Sequence, residues 1–215
     1  MNDSDVRQYA GGSLDNFVYL IVSQDEALVV DPQADLTVWE EELERRAARL
    51  KGCLLTHTHG DHVEGLPAVT YRYGVPIWVH EAERKRLQHL SPDIRQKLCC
   101  VRGGDSLSVG ALQVEILHTP GHSRGACSYL VKGLQPWRLL TGDTIFVGDV
   151  GRCDLPTGSV EQMFASIQRI KLLPPDTVIL PGHDYGEEPT STVERELRTS
   201  AAFRCRSVAE LDALP

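Results

Sequence analysis

Three histidines and one aspartate fall within seven consecutive residues, positions 56–62, which read THTHGDH. The segment follows a short apolar run, so it begins where a buried strand is expected to end. Histidines two positions apart in an extended segment point to the same side, so His57 and His59 can bind one ion. Asp61 and His62 follow where the chain turns into a helix, and their side chains point elsewhere. A set of histidines and aspartates without cysteine is typical of zinc, iron or manganese sites.

Three later loops repeat this arrangement. His122 lies in HTPGHS, Asp143 in LLTGDT and His183 in LPGHDYG. In each loop an apolar strand ends, a glycine allows a tight turn, and one residue that can bind a metal follows. Strand ends at one edge of a sheet lie close together, so we expect these side chains to converge with those of positions 57–62.

Seven ligands in this arrangement can hold two metal ions. The predicted ligands are His57, His59 and His122 for the first ion, Asp61, His62 and His183 for the second, and Asp143 as a bridge between them. Two neighbouring cations lower the pKa of a bridging water to near neutrality and polarise a carbonyl oxygen. These properties suit the hydrolysis of an ester, a thioester or an amide.

The composition limits the partners and the location. The chain has 215 residues, enough for one large domain or two small ones, and 41% of them are hydrophobic. A net charge of −8 argues against nucleic acid and anionic membranes as partners. The first ten residues lack the features of a signal peptide, and no apolar run is long enough to span a bilayer. We therefore expect a soluble, cytoplasmic protein whose six cysteines are free thiols.

Strands and helices alternate along the chain, which predicts sheet layers covered by helices. Ser159 and Gln162 are placed as a capping box before the third helix. The predicted strands are 17–22, 27–31, 53–56, 75–79, 112–118, 126–131, 137–141 and 177–181. The first predicted helix is 36–50 and is ended by Gly52, and the second follows the histidine motif and stops near Gly74. The third is about 160–170, and a polar helical tail begins at about 187. Each half thus has strands, then a helix, then a short strand that leads into a ligand-rich loop.

The four motifs, in this order and spacing, resemble those of the metallo-β-lactamase superfamily. The likeness extends from DNFVYLI, near the start, to about Tyr185. It implies an α/β fold, an αββα sandwich of two mixed β-sheets flanked by helices, in a single domain over residues 1–215. It also implies that the seven residues named above are the metal ligands.

Within the superfamily the chain is similar to the glyoxalase II-like group, the hydroxyacylglutathione hydrolases. DNFVYLI and TGDTIFVGDVGR carry this likeness, although the segment after His183 is too short for that group's helical glutathione-binding domain. The resemblance implies two divalent ions, zinc before iron or manganese, and cleavage of a small-molecule thioester, such as a glutathione derivative, by a metal-bound hydroxide. Asp61 and Asp143 would be catalytic, and Arg152 and Tyr185 would bind the substrate.

Other chemistries remain open at this point. GRCDLPTGS and HDYG resemble persulfide dioxygenases, in which two histidines and one aspartate hold a single iron. Here the histidines would be His57 with either His122 or His59, and the aspartate would be Asp143. A dioxygenase acting on glutathione persulfide is therefore the alternative, although DTIFVGDVGRCDLP departs from that group's pattern. A lactonase is a third hypothesis, and a non-catalytic metal-binding protein, which the complete ligand set disfavours, is a fourth. The oligomeric state is left open.

Five further residues have simpler expected roles. Asp31 either orients the histidine loop or caps a turn. His80 and His118 lie at strand ends and are expected to be structural, and His89 lies in a charged segment and is expected to be solvated. Cys153 lies in a glycine-rich loop beside the motifs and is a candidate reactive thiol.

Overall fold

A computed structural model describes residues 4–214; residues 1–3 and 215 of the predicted domain lie outside the described residues. Within this range, two six-stranded sheets are present, in the strand orders β1-β2-β3-β4-β5-β6 and β12-β11-β10-β9-β8-β7. The strands are β1 Asp5–Ala10, β2 Phe17–Ser23, β3 Glu26–Val30, β4 Arg49–Leu54, β5 Ile77–His80, β6 Leu98–Val101, β7 Ser106–Val109, β8 Leu112–His118, β9 Cys127–Lys132, β10 Arg138–Gly142, β11 Val178–Pro181 and β12 Ser191–Thr192.

Helices cover the outer face of each sheet. They are α1 Thr37–Arg46, α2 Gly60–Val63, α3 Leu66–Tyr73, α4 Pro92–Lys97, α5 Val160–Ile170, α6 Val193–Thr199, α7 Ala201–Arg204 and α8 Val208–Asp212, with short 3-10 helices at Ser13–Asp15 and Arg84–Leu87. Among residues 4–214, none of these helices combines the length and the apolar character that crossing a membrane requires.

Strand β2 shows how the layers are built. All seven of its residues are buried, because alternate side chains enter different cores. Tyr19 and Ile21 face the second sheet and pack with Tyr129 and Ile116, whereas Leu20 faces the helices on the outer side. A strand covered on both faces reads as a continuous apolar run.

The outer cores complete an αββα sandwich. Trp39 of α1 and Leu66 of α3 pack on the first sheet. Ile167 of α5, Phe203 of α7 and Leu211 of α8 pack on the second. Both sheets are mixed. In the first sheet, β1 to β3 pair antiparallel and β3 to β6 pair parallel. In the second sheet, only β10 and β11 pair parallel, and the other pairs are antiparallel. The predicted fold class is confirmed.

The first predicted helix was too long. α1 ends at Arg46, Ala47 adopts a left-handed conformation with φ 50°, and β4 begins at Arg49. Leu50 continues the helical spacing in the sequence, but its side chain reaches the same outer core from a strand. Gly52 does not end a helix; a Cβ atom there would clash with the indole ring of Trp78.

The remaining predicted elements are present with shifts of one or two residues at their ends, except that β4 begins four residues before the predicted strand 53–56. Strand 75–79 is displaced to β5, and the tail from about 187 contains α6, α7 and α8. Ser159 caps α5 by accepting a hydrogen bond from the Gln162 backbone N–H, which is half of the predicted capping box. Strands β1, β6, β7 and β12 and helix α4 were not predicted, because they are short or lack a clear period.

Candidate metal centre

The structure brings all seven predicted ligands to one edge of the sandwich. They lie after β4 (His57, His59), in α2 (Asp61, His62), in the loop between β8 and β9 (His122), after β10 (Asp143) and after β11 (His183). Ligands thus come from both sheets. Their donor atoms form three groups, His57–His59–His122, His57–His62–Asp143 and Asp61–His62–His183, whose atoms lie within 4.8 Å of one another.

The first group consists of three imidazoles. Nε2 of His57 lies 3.0 Å from Nδ1 of His59, and Nε2 of His122 lies 2.8 Å from the same Nδ1. Three ring nitrogens that converge in this way compete for one proton, whereas a metal ion would accept a lone pair from each of them.

Asp61, His62 and His183 form what is called here the second group, two imidazoles and a carboxylate, and the middle set of the three links it to the first group through Asp143. Nε2 of His62 lies 3.2 Å from Nε2 of His183. Oδ2 of Asp61 lies 3.3 Å from Nε2 of His62 and 3.2 Å from Nε2 of His183. The three donor atoms therefore surround a common point.

Asp143 lies between the two groups. Its Oδ1 atom is 3.2 Å from Nε2 of His62 and 3.4 Å from Nε2 of His183. Its Oδ2 atom is 3.4 Å from Nε2 of His122 and 4.0 Å from Nε2 of His57. Oδ1 is buried and accepts no hydrogen bond from the described residues. Each carboxylate oxygen thus faces a different group, as a bridging ligand requires.

Backbone carbonyls set the tautomer of two of the histidines. Nδ1 of His122 donates to the carbonyl oxygen of Arg152 at 2.8 Å, and Nδ1 of His183 donates to that of Leu14 at 2.9 Å. A carbonyl oxygen only accepts, so the proton is on Nδ1 and the Nε2 lone pair is directed into the site.

Asp31 orients the histidine loop. Its Oδ1 atom accepts from the Thr56 backbone N–H at 2.8 Å, and Oδ2 accepts from the Thr56 hydroxyl at 2.5 Å and from Nδ1 of His62 at 2.9 Å. Asp31 is buried and has a positive φ of 49°, a conformation that is costly outside glycine and is retained where contacts fix it. Of the two roles expected for Asp31, the structure thus shows the positioning of the loop.

Two glycines of the motifs serve different purposes. Gly142 has a φ of +49°, so it makes the tight turn that places Asp143. Gly182 instead provides room, because a Cβ atom there would clash with Oδ1 of Asp143.

The protonation of the two groups differs. Burial lowers the pKa of His57 and of His59. Burial also acts to lower the pKa of His62 and His183, but carboxylates, Asp143 foremost, outweigh it, so that the pKa of His62 is well above its usual value and that of His183 is raised to about 9. The carboxylates that favour a positively charged imidazole in the second group would also favour a metal cation at the same place. The donor set therefore fits two divalent ions.

The two predicted substrate-binding residues have different surroundings. Tyr185 lines the cavity above the ligands, and its ring stacks on His183 with centroids 4.7 Å apart. The guanidinium of Arg152 is bound at two points by Asp154, at 2.9 and 2.8 Å, and lines a separate cavity beside Cys153. The substrate-binding role of Arg152 stays a prediction.

A cavity of about 380 Å³ opens above the ligands and is lined partly by residues that the sequence did not suggest. These are Leu14 and Arg86, whereas Leu155 and Pro156, which also line the cavity, lie in the segment GRCDLPTGS that the sequence analysis singles out. Arg86 lies in the run ERKRL, which carries no motif, and Leu14 lies in the short 3-10 helix Ser13–Asp15 and contacts His183 through its backbone carbonyl, so neither position has a signal in the sequence.

The other candidates are accounted for by packing. His80 and His118 stack on each other with ring centroids 4.1 Å apart, and His89 is exposed. Burial raises the pKa of the Cys153 thiol to about 11, which disfavours the reactive thiolate.

Comparison with known proteins identifies the family. The model of a family described as the metallo-beta-lactamase superfamily matches residues 11–183. The chain belongs to this superfamily. Its relatives include the probable polyketide biosynthesis zinc-dependent hydrolase BaeB of Bacillus velezensis, 32% identical over 88% of this chain and 82% of that protein. They also include the hydroxyacylglutathione hydrolase of Brucella ovis, 36% identical over 80% of this chain and 63% of that protein.

Solved structures agree with this membership. A metallo-beta-lactamase of Staphylococcus aureus superposes with a TM-score of 0.87 at 31% identity, covering all of this chain and 68% of that one. The ETHE1 structure from Myxococcus xanthus superposes with a TM-score of 0.78 at 27% identity, covering 98% and 92%. The resemblance to the glyoxalase II-like group is confirmed, and the chain is a metal-dependent hydrolase of the superfamily.

Proposed function

We propose that this superfamily member hydrolyses a small-molecule thioester, of the glutathione-derived class, with two divalent metal ions, zinc before iron or manganese. The observation that carries the proposal is the position of Asp143, whose two oxygens face two separate ligand groups. The hydroxyacylglutathione hydrolase relative supports the substrate class.

In this proposal, His57, His59 and His122 hold the first ion, and Asp61, His62 and His183 hold the second, with Asp143 between them. Two bound divalent ions supply a Lewis acid for the carbonyl and an acidified water as nucleophile. Asp143 fixes the spacing of the two groups, since each of its oxygens serves one of them.

Asp61 is proposed to orient the attacking water. It lines the cavity and is half-buried, so its carboxylate reaches both the second group and the substrate space. The Asn16 side-chain amide donates to the Asp61 carbonyl oxygen at 3.2 Å and reaches Oδ2 at 3.5 Å, which limits the rotation of the carboxylate. No covalent intermediate is proposed, because the Cys153 thiol is held protonated and away from the cavity.

The proposal is tested by metal content and turnover together. Protein purified without added metal is expected to contain two ions per chain and to cleave S-acetylglutathione. Asp143→Ala removes a donor from both groups and is expected to lower the metal content and abolish turnover. Full metal content and turnover in Asp143→Ala would refute the bridge.

The alternative is a mononuclear iron dioxygenase acting on glutathione persulfide. The similarity to the ETHE1 structure is consistent with it, and His57, His122 and Asp143 surround one point. One iron per chain, with oxygen uptake on glutathione persulfide and no thioester cleavage, would favour this alternative. His183→Ala separates the two, since a one-iron enzyme would keep its metal.

The remaining proposals concern the setting of the enzyme. We propose a single domain over residues 1–215, a cytoplasmic location, and no nucleic-acid or membrane partner. The net charge of −8 supports the last of these, because like charges repel phosphate-rich surfaces.

A further inference from the structure

Arg86 is a cationic side chain at the cavity above the metal ligands. It belongs to the 3-10 helix Arg84–Leu87, which follows β5, and it lines the cavity together with His59, His122 and Asp143. Its side chain is 36% exposed, so the guanidinium is accessible to a bound molecule.

A buried carboxylate connects Arg86 to the histidine loop. Glu83 is 1% exposed, accepts from the Gly125 backbone N–H at 2.9 Å, and accepts a short hydrogen bond from the hydroxyl of Thr58. Nε of Arg86 lies 3.6 Å from Oε2 of Glu83. Because Thr58 lies between two of the ligands, this chain of contacts fixes the arginine relative to the metal centre.

The guanidinium keeps free hydrogen-bonding capacity. Within residues 4–214, the Arg86 side chain forms no hydrogen bond, and its contact with Glu83 is an ion pair at 3.6 Å through Nε. The planar pair of terminal nitrogens is suited to two-point binding of a carboxylate. In contrast, the fork of Arg152 is already occupied by Asp154.

The cationic side chain and two of the exposed apolar or aromatic side chains of the cavity lie beside different ligand groups. Arg86 lies beside the first ligand group, through Thr58 and His59. Leu14, which is 68% exposed, and Tyr185 lie beside the second group, since both contact His183. A substrate with an anionic part and an apolar part would therefore bind in one orientation.

We propose that Arg86 binds an anionic group, a carboxylate on the thiol portion of the substrate, and that the acyl portion points toward Leu14 and Tyr185. This inference rests on the proposed thioester hydrolysis for its substrate class, and it makes Arg86 rather than Arg152 the anchor of the negative charge.

The test uses a matched pair of substrates on the metal-loaded protein: S-acetylglutathione, and its diamide, in which both carboxylates are carboxamides. Arg86→Ala is expected to raise KM for the anionic substrate roughly tenfold, the size of a charge-assisted hydrogen bond, with kcat nearly unchanged. The diamide is expected to show no change, and Arg86→Lys is expected to recover part of the loss.

Lys85→Ala is the control, because it removes one positive charge from the same exposed helix at a position outside the cavity. It is expected to leave both KM values within twofold. An equal rise of KM on both substrates in Arg86→Ala would overturn the proposal, as would a tenfold rise in Arg152→Ala without one in Arg86→Ala.

A binding measurement separates failure of the anchor from failure of the thioester hypothesis. S-hexylglutathione, a thioether that cannot be hydrolysed, and its diamide are titrated into the metal-loaded protein by calorimetry. If no thioester is cleaved, the hydrolase proposal fails, and Arg86 is judged by binding alone. A roughly tenfold weaker Kd for S-hexylglutathione, but not for its diamide, in Arg86→Ala supports the anchor, and an unchanged Kd refutes it.

Discussion

At the scale of the residue, the centre depends as much on supporting groups as on the ligands. Asp31 holds Thr56 and His62 through three hydrogen bonds, and the carbonyls of Arg152 and Leu14 fix the tautomers of two further histidines. These contacts direct lone pairs inward before any ion binds. Preorganisation of this kind raises metal affinity because the ligands lose little freedom on binding.

Gly182→Ala is expected to disrupt the centre without removing a ligand. The added Cβ atom would clash with Oδ1 of Asp143, so the carboxylate must move away from His62 and His183. We expect roughly a 10- to 100-fold loss of metal affinity, the usual effect of disturbing a ligand through its surroundings. Competition with a chromophoric chelator measures it.

Gly60→Ala is the matched control for this change. A Cβ atom at Gly60 meets no atom within 4 Å, and the residue opens helix α2. The same methyl group should therefore leave metal affinity unchanged. Equal losses in both variants would mean that the effect of Gly182→Ala is general destabilisation.

The ligand loops could be predicted from the sequence because their residues lie close together along the chain and form recognisable short motifs. Four histidine and aspartate positions in seven residues, and a glycine beside each later ligand, are local signals. Arg86 and Leu14 join the site through tertiary packing, so no local spacing marks them. The likeness to the family guided the choice of Arg152, but its local partner, Asp154, could be weighed only in three dimensions.

At the scale of the element, apolar periodicity predicted those strands and helices that bury a full face. It failed at the end of α1, because Leu50 fits a helical spacing and a strand equally well until the position of the core is known. Arg46 instead ends the helix with charged contacts to Glu42, and the chain turns at Ala47.

The charges on α1 give the stability a pH dependence. Hydrogen bonds from Arg45, with a contribution from Arg46, lower the pKa of Glu42 to about 2 against the opposing effect of burial. Because the folded pKa lies below that of the unfolded chain, about 4.3, the stabilisation is complete above pH 5 and is lost as the pH falls toward 2. We expect this interaction to stabilise the folded state by about 1 kcal/mol, because Arg45 is largely exposed and solvent weakens the attraction between the charges.

Urea unfolding of wild type and Glu42→Gln between pH 6 and pH 3 measures this contribution. The difference in the free energy of unfolding should shrink as the pH falls. Glu41→Gln, at an exposed position of the same helix, is the control and should show no such trend. A difference that stays constant over this range would contradict the assignment.

At the scale of the whole molecule, the metal centre joins the two sheets. The histidines after β4 come from the first sheet, whereas Asp143 and His183 follow strands of the second. The donor atoms from the two sheets lie close together, since Oδ2 of Asp61 is 3.2 Å from Nε2 of His183 and Oδ1 of Asp143 is 3.2 Å from Nε2 of His62. Ions bound there would cross-link the layers and favour the folded state, since the unfolded chain does not hold seven ligands together.

Removal of the metal is therefore expected to lower the melting temperature. An ion present at 100 times its Kd stabilises the fold by about 2.7 kcal/mol, and for a chain of this length about 1 kcal/mol shifts Tm by roughly 2–4 °C. Calorimetry should show a fall of roughly 5–10 °C after chelation. Asp143→Ala, which has lost the donor shared by both groups, should melt at nearly the same temperature with and without chelator. An equal fall in that variant would mean that the chelator acts elsewhere, and no fall in wild type would mean that the sheets hold the centre in place without the ions.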